Sequence, residues 1–210
     1  MNKNEKFVIT INRELGSGGR TVGRLLAEKL DVPYYDKALI QALVQKYKLS
    51  IEEIERLKGS SISWWADFKR KMSLGQNTHM YINKEGDEPD ILTTETIFKA
   101  EKEILQGMAH DESCVIAGRS GFFVLKNHPN RISILIQASM QYRLNRLMRK
   151  RGISESEAQK IIDKVDKMRE EYVKNFSHTS RYDTRNYDLV INMDGKKEEE
   201  VVDLILKFIG

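Results

Sequence analysis

A single cysteine, Cys114, in 210 residues excludes a disulfide within the chain. Its place in an apolar run marks it as a small buried hydrophobe of a reducing compartment. Three prolines leave no Pro-rich linker. No repeat or low-complexity tract divides the chain, so residues 1–210 are expected to form a single domain. The longest apolar runs, such as Leu204 to Ile209, itself interrupted by Lys207, are far too short to span a membrane, so no membrane association is expected. Met1 to Lys6 is polar and lacks the apolar segment of a secretory signal, which makes a cytoplasmic location the expectation. The four histidines, His79, His110, His128 and His178, contain no pair at metal-ligand spacing, so no zinc site is expected. The order of elements supports no Ser/His/Asp arrangement.

What the chain has is charge. Charged residues make up 31% of it, and the net balance is +4 at pH 7, with the positive charge gathered in residues 143–151. That asymmetry favours a phosphate-bearing partner. Aromatic residues are not interleaved with the basic run, so nucleotides rather than nucleic acid are the expected partners.

Strands and helices alternate along the sequence. Phe7 to Asn12 alternates apolar and polar residues and reads as a strand. Thr21 to Leu30 carries Val22, Leu25, Leu26 and Leu30 at helical spacing. Asp36 is placed to cap a helix running to about Lys48, and Ser50 with Glu53 forms a capping-box pattern. Residues 59–92 read as an inserted flap with one helix. Its Trp64, Trp65 and Phe68 suit a packing or self-association patch better than a base-stacking platform, and a homodimer through this insertion is one consequence. Thr93 to Ala109 reads as helix, and strands are expected at Ser113 to Ala117, Ile132 to Ile136 and Leu189 to Asn192. Between them lie helices at Ser139 to Arg151 and at Ser154 to about Asn175, the second with a Ser154/Glu157 capping box. Residues 198–209 form a closing helix. Strand, crossover helix, strand, repeated in this way, predicts a mostly parallel sheet covered on both faces, with its ligand crevice beyond the carboxyl ends of the strands.

The first strand leads into Glu14-Leu15-Gly16-Ser17-Gly18-Gly19-Arg20-Thr21 and then a helix. Glycines let a backbone turn its N–H groups around an anion, and the helix N-terminus adds donors and a favourable dipole. A cation at the end of such a loop neutralises phosphate charge, and a hydroxyl can hold Mg²⁺. Against the pattern G-x-x-x-x-G-K-[ST] the match is partial. Gly19 and Thr21 are in place, but Glu14 stands at the first glycine and Arg20 at the lysine. A Gly-rich turn that binds nothing is the competing reading.

Further segments carry a resemblance. Val32-Pro33-Tyr34-Tyr35-Asp36 follows the first helix. Cys114 to Arg119 (CVIAGR) ends a strand on an arginine. Arg131 to Ser139 (RISILIQAS) precedes Arg143 and Arg146. This order resembles the cytidylate kinases. The whole chain most resembles the divergent cytidylate kinase-like family, whose openings typically read I-T-I-S-R-x-x-G-S-G-G-R and whose acceptor segment contains Tyr-Asp-Lys, here Tyr35-Asp36-Lys37.

The resemblance implies a three-layer α/β/α P-loop NTPase fold with a mostly parallel sheet, a helical lid over about residues 143–185 and the inserted helical flap. It implies ATP-dependent phosphoryl transfer to a nucleoside monophosphate, with ATP as donor and Mg²⁺ as cofactor. Gly16, Ser17, Gly18, Gly19, Arg20 and Thr21 would cradle the donor phosphates, with Thr21 toward the metal. Asp36 and Arg119 would meet the acceptor. Arg143, Arg146, Arg149, Arg181 and Arg185 would belong to the lid, and Arg20, Arg119 and Arg146 would carry the catalytic charge. Each assignment has a plainer counterpart: Asp36 as a helix cap, Arg119 as a structural strand end, and Arg143, Arg146 and Arg149 as a solvated basic face. Ser120 departs from the family's Gly-Arg-Asp, and Ala117, Lys37 and Ala38 depart from its pattern too. These departures motivate the alternative of a catalytically reduced protein that binds a nucleotide or other phosphate ligand without turnover.

Overall fold

The computed structural model describes residues 1–36, 54, 64–72, 95–118 and 120–210. A five-stranded, wholly parallel sheet runs β2-β3-β1-β4-β5, with β1 Val8–Arg13, β2 Tyr34–Asp36, β3 Cys114–Ala117, β4 Arg131–Gln137 and β5 Leu189–Asn192. Central strand β1 pairs with β3 through Val8↔Cys114 and with β4 through Val8↔Arg131. From β1 the chain moves to one edge through α1 (Gly19–Leu30), and from β3 it later crosses to the other side of β1. The carboxyl end of β1 is therefore the topological switch point, where such sheets open a ligand crevice.

Period-two alternation of β1 feeds two cores. Ile9 and Ile11 pack with Val22 and Leu26 of α1 and with Val201, Val202 and Ile205 of the C-terminal helix (Glu198–Ile209). On the other face, Val8, Cys114 and Ile116 pack with Ile104, Leu105 and Met108 of helix Glu95–Asp111. This is the expected three-layer α/β/α arrangement. Helix Trp64–Met72 joins the second core, where Trp65 and Phe68 are buried and their rings stack 5.5 Å apart. These two aromatics of the insertion thus pack against the chain itself. A short helix, Gly121–Val124, follows β3. A third core lies between helices Met140–Arg151 and Glu155–Ser177, where Leu144, Leu147, Ala158 and Ile162 enclose Leu15. In chain order the helices of the described residues are α1 (Gly19–Leu30), α2 (Trp64–Met72), α3 (Glu95–Asp111), α4 (Gly121–Val124), α5 (Met140–Arg151), α6 (Glu155–Ser177) and α7 (Glu198–Ile209).

The Ser154/Glu157 capping box forms as the sequence implies, opening α6. One expectation is corrected. The sheet has five strands where four were expected, because Tyr34–Asp36 pairs with β3 through Tyr34↔Val115 to Asp36↔Ala117. Three residues are too few to show an alternation, and their pairing is set by the long-range partner strand. Asp36 accordingly ends a strand, and the helix it was expected to cap lies outside the described residues, as does the Ser50/Glu53 pattern. Of the proposed 59–92 insertion, residues 64–72 are described. Among the described residues no helix is long and apolar enough to cross a membrane.

Candidate functional site

The loop after β1 is held by its own atoms and by the α5–α6 pair. Gly16 and Gly18 take φ of +82° and +88°, a region costly for residues with a Cβ. Gly18 is the N-cap of α1 and brings no side-chain cap, so the first turn beyond Gly19 presents its N–H groups to an anion. The Ser17 hydroxyl donates to the Glu14 carbonyl at 3.0 Å and accepts from the Gly19 N–H at 3.4 Å. A Cβ on Gly16 would lie 2.9 Å from the Arg143 carbonyl oxygen, so the loop and α5 touch backbone to side.

Leu15 is clamped on three sides. Its carbonyl accepts from Arg143 Nε at 2.7 Å, its N–H donates to Asp166 Oδ1 at 3.2 Å, and its side chain enters the α5–α6 core. Glu14, at the position of the first glycine, accepts the Ala138 N–H at 3.0 Å and lies 3.5 Å from Arg143 Nη1. Its charge is engaged with β4 and α5, which explains how an acidic residue is tolerated beside a phosphate loop.

Around this loop stand arginines from separate segments. Arg20 pairs with Asp36 at 2.8 Å, bridging the loop to the end of β2. Arg146 donates to the Thr21 hydroxyl at 3.2 Å and pairs with Glu198 at 2.6 Å. Arg143 is buried and ion-paired with Asp166. Arg169 and Arg181 lie 3.8 and 3.6 Å from the same Asp166, and both donate to the Arg13 carbonyl at the end of β1. Arg181 is fully buried, and among the described residues its Nε and Nη1 make no hydrogen bond.

Burial pushes the Arg169 guanidinium well below its ordinary pKa, and repulsion from Arg13 and Arg181 adds to this. Burial also lowers Arg13; Tyr34 and Asp36 oppose the shift, while Arg181 and Arg20 reinforce it. A largely desolvated group of like charges, with Arg181 buried and Arg13 and Arg169 half-buried, is stabilised by an anion.

The structure thus brings Gly16 to Thr21, Asp36, Arg143, Arg146 and Arg181 together at the carboxyl end of β1. Arg143 serves as a clamp inside the α5–α6 pair, not as part of a solvated face. Arg149 is exposed on α5. Arg185 is 88% exposed and holds Asp183 at 2.8 Å, apart from the gathered arginines. Arg119 lies outside the described residues. Ser120, which follows it, has a left-handed φ of +54° and a buried side chain.

Four residues at this site escaped the sequence reading: Arg13, Asp166, Arg169 and Glu198. Arg13 carried a signal, since it is the arginine of the family's typical opening. Asp166 and Arg169 are spaced i, i+3 on a long helix and read there as an ordinary surface pair.

Fold and loop together define a P-loop protein of the α/β/α, kinase-like class. The chain belongs to the cytidylate kinase-like family, whose model matches residues 8–195. Its fold is similar to that of an uncharacterized protein from Eubacterium ventriosum ATCC 27560, with a TM-score of 0.70, 24% identity, and coverage of 97% of this chain and 98% of that one. A gluconokinase from Sinorhizobium meliloti 1021 is similar with a TM-score of 0.50 and 18% identity, over 98% of this chain and 93% of that one. A curated relative, a uronate isomerase from Corynebacterium glutamicum, is 33% identical over 93 residues, which is 44% of this chain. The match spans 18% of that protein's length.

Proposed function

We propose that the chain is a cytoplasmic enzyme that transfers the γ-phosphoryl group of ATP to a nucleoside monophosphate, with CMP the acceptor the family resemblance favours. The observation that carries this reading is the convergence of guanidinium groups from four segments, Arg13, Arg20, Arg146 and Arg181, on a glycine loop at the switch point of a parallel sheet. Phosphoryl transfer needs little covalent help. It needs in-line positioning and neutralisation of charge on the equatorial oxygens. An oxygen of the acceptor phosphate bonds to the γ-phosphorus, the bond from that phosphorus to the bridging oxygen breaks, and the electron pair stays on the β-phosphate of ADP. No proton has to move, which fits a site built from arginines without a nucleophile.

The Thr21 hydroxyl, in the first turn of α1, fits as a protein ligand for the Mg²⁺ that accompanies ATP. That ion would neutralise β- and γ-phosphate charge. Asp36, at the end of β2, is placed to meet the acceptor nucleoside. Arg146, released from Glu198, would close over the phosphates.

A second reading has an observation of its own. Arg20 and Arg146, the two cations at the loop's end, are each held by a carboxylate, Asp36 and Glu198. A protein that binds a phosphate ligand without turnover would look the same. Purified protein with Mg·ATP and each nucleoside monophosphate in turn, with ADP formation read by a coupled assay, separates the two. Turnover with at least one acceptor is expected. A rise in melting temperature with ATP and no turnover with any acceptor would favour the binding protein, because a ligand selective for the folded state stabilises it.

A further inference from the structure

We propose that Arg13, the last residue of β1, is a catalytic residue that contacts the phosphoryl group in flight, taking the part that the loop's own cation has in other phosphate loops. The proposal rests on the phosphoryl-transfer reading above and gives one of its converging arginines a specific part in the transfer step.

Position comes first. The Arg13 side chain runs between Gly19, the last glycine of the loop, and Gly118, which follows β3. A Cβ on Gly19 would lie 2.7 Å from Arg13 Cβ, and a Cβ on Gly118 would lie 2.2 Å from Arg13 Nη1. The first would clash with the root of the side chain and the second would push the guanidinium aside, so both glycines leave room for Arg13 as it lies. Gly19 belongs to the donor cradle. Gly118 follows β3 and Asp36 ends β2, the two strands on the acceptor side of β1, where Asp36 pairs with Ala117 in register. A guanidinium spanning that gap lies between donor and acceptor.

Charge points the same way. Arg20, at the lysine position, is drawn 2.8 Å from Asp36. Arg13 has Arg20 and Arg181 as cationic neighbours and shares Asp36 with Arg20. Among the described residues Arg13, Arg20, Arg169 and Arg181 share two carboxylates, Asp36 and Asp166, and an incoming phosphoryl group would offset the remaining positive charge. Its planar fork can grip two oxygens of that group at once. Rigidity is supplied from behind: Arg169 and Arg181 both donate to the Arg13 carbonyl, which fixes the strand end. A preorganised donor of this kind acts on charge that develops in the transition state.

The test uses the full chain and three variants, Arg13→Lys, Arg13→Ala and Gly118→Ala. Arg13→Lys keeps the charge and guards against a folding defect. The expected result is a fall in kcat of about 100-fold or more for Arg13→Lys, the scale of losing one transition-state donor. KM for ATP and the affinity for ADP should stay within about threefold, since the interaction is made mainly in the transition state. Gly118→Ala, which displaces the guanidinium, should show the same split. A kcat for Arg13→Lys within a few-fold of wild type, or a loss appearing in ADP affinity instead, would overturn the proposal.

Should the wild-type chain turn over no acceptor, the kinase reading fails by itself and Arg13 is judged by binding. With Mg·ADP and fluoroaluminate, a mimic of the phosphoryl group in flight, wild type should bind ADP more tightly than without fluoroaluminate, and Arg13→Lys should lose that gain. Equal gains in both proteins, or none in wild type, would overturn it.

Discussion

Replacing Asp166 by alanine is expected to lower the unfolding free energy by about 3–5 kcal/mol, the usual cost of breaking a buried ion pair from one side. It should also abolish the stabilisation that nucleotides confer. One carboxylate here faces Arg143, Arg169 and Arg181 and also accepts the Leu15 N–H. Removing it takes the shared carboxylate from three guanidinium groups, of which Arg143 and Arg181 are buried, leaves Arg143 to Glu14 at 3.5 Å, and unpins the loop at Leu15. Asp166→Asn separates the two roles, because its amide oxygen can still accept from Leu15 while the charge is gone. If charge dominates, the asparagine variant is nearly as unstable as the alanine variant in urea unfolding. Added inorganic phosphate should then stabilise Asp166→Asn more than wild type, since the uncompensated arginines bind an anion. An asparagine variant of wild-type stability would show that the carboxylate's charge is not what holds the cluster.

Trp65→Ala is expected to cost about 3–5 kcal/mol as well, through a different cause. Trp65 is 1% exposed and packs between Tyr35 and Phe68, with ring centroids at 6.4 and 5.5 Å. Its indole N–H donates to Glu112 at 3.2 Å, and Glu112 also accepts from the Tyr35 hydroxyl at 2.5 Å and pairs with Lys69 at 2.6 Å. Alanine leaves a cavity where α2 meets β2, α3 and the sheet. Trp65→Phe keeps most of the buried area and loses the hydrogen bond, so it should cost distinctly less, about 1–3 kcal/mol. Denaturant unfolding of both variants checks the ordering. Equal and small effects would mean that α2 contributes little to the core. The Tyr35 hydroxyl stays protonated throughout the accessible pH range, because burial, and then the Glu112 carboxylate, push its pKa far up. This network should therefore not melt at alkaline pH through Tyr35.

The difference between these two sites shows what the sequence could reveal. Most of the sheet, the crossover helices, the loop and the α6 cap were legible because each depends on local pattern: period two in Phe7 to Asn12, glycines at fixed offsets, and serine three residues before glutamate. The charge hub was not. Asp166 and Arg169 satisfy the spacing of an ordinary solvated helix pair, and only folding brings them to Leu15 and to the end of β1, more than 150 residues away in sequence. Glu198 reads as an acidic residue favoured at a helix N-terminus, and does sit in the first turn of α7, yet its carboxylate also holds Arg146 over the loop. Arg143 and Arg146 share one helix at a spacing that suggests one surface. The first turns inward to Leu15 and the second forward to Thr21, because the loop passes between α5 and α1. Strand β2 escaped detection because its three residues are ordered by β3 and not by their own pattern.

The central claim is that the loop from Gly16 to Thr21, with its arginines, moves a phosphoryl group between nucleotides. Transfer of label from [γ-³²P]ATP tests it most directly. Full-length protein, Mg²⁺, labelled ATP and CMP are incubated, and the nucleotides are separated. Label appearing in CDP, and appearing about 100-fold more slowly when Arg13 is replaced by lysine, is the predicted result. Label that stays in ATP, or leaves it only as inorganic phosphate whichever nucleoside monophosphate is supplied, would contradict the account.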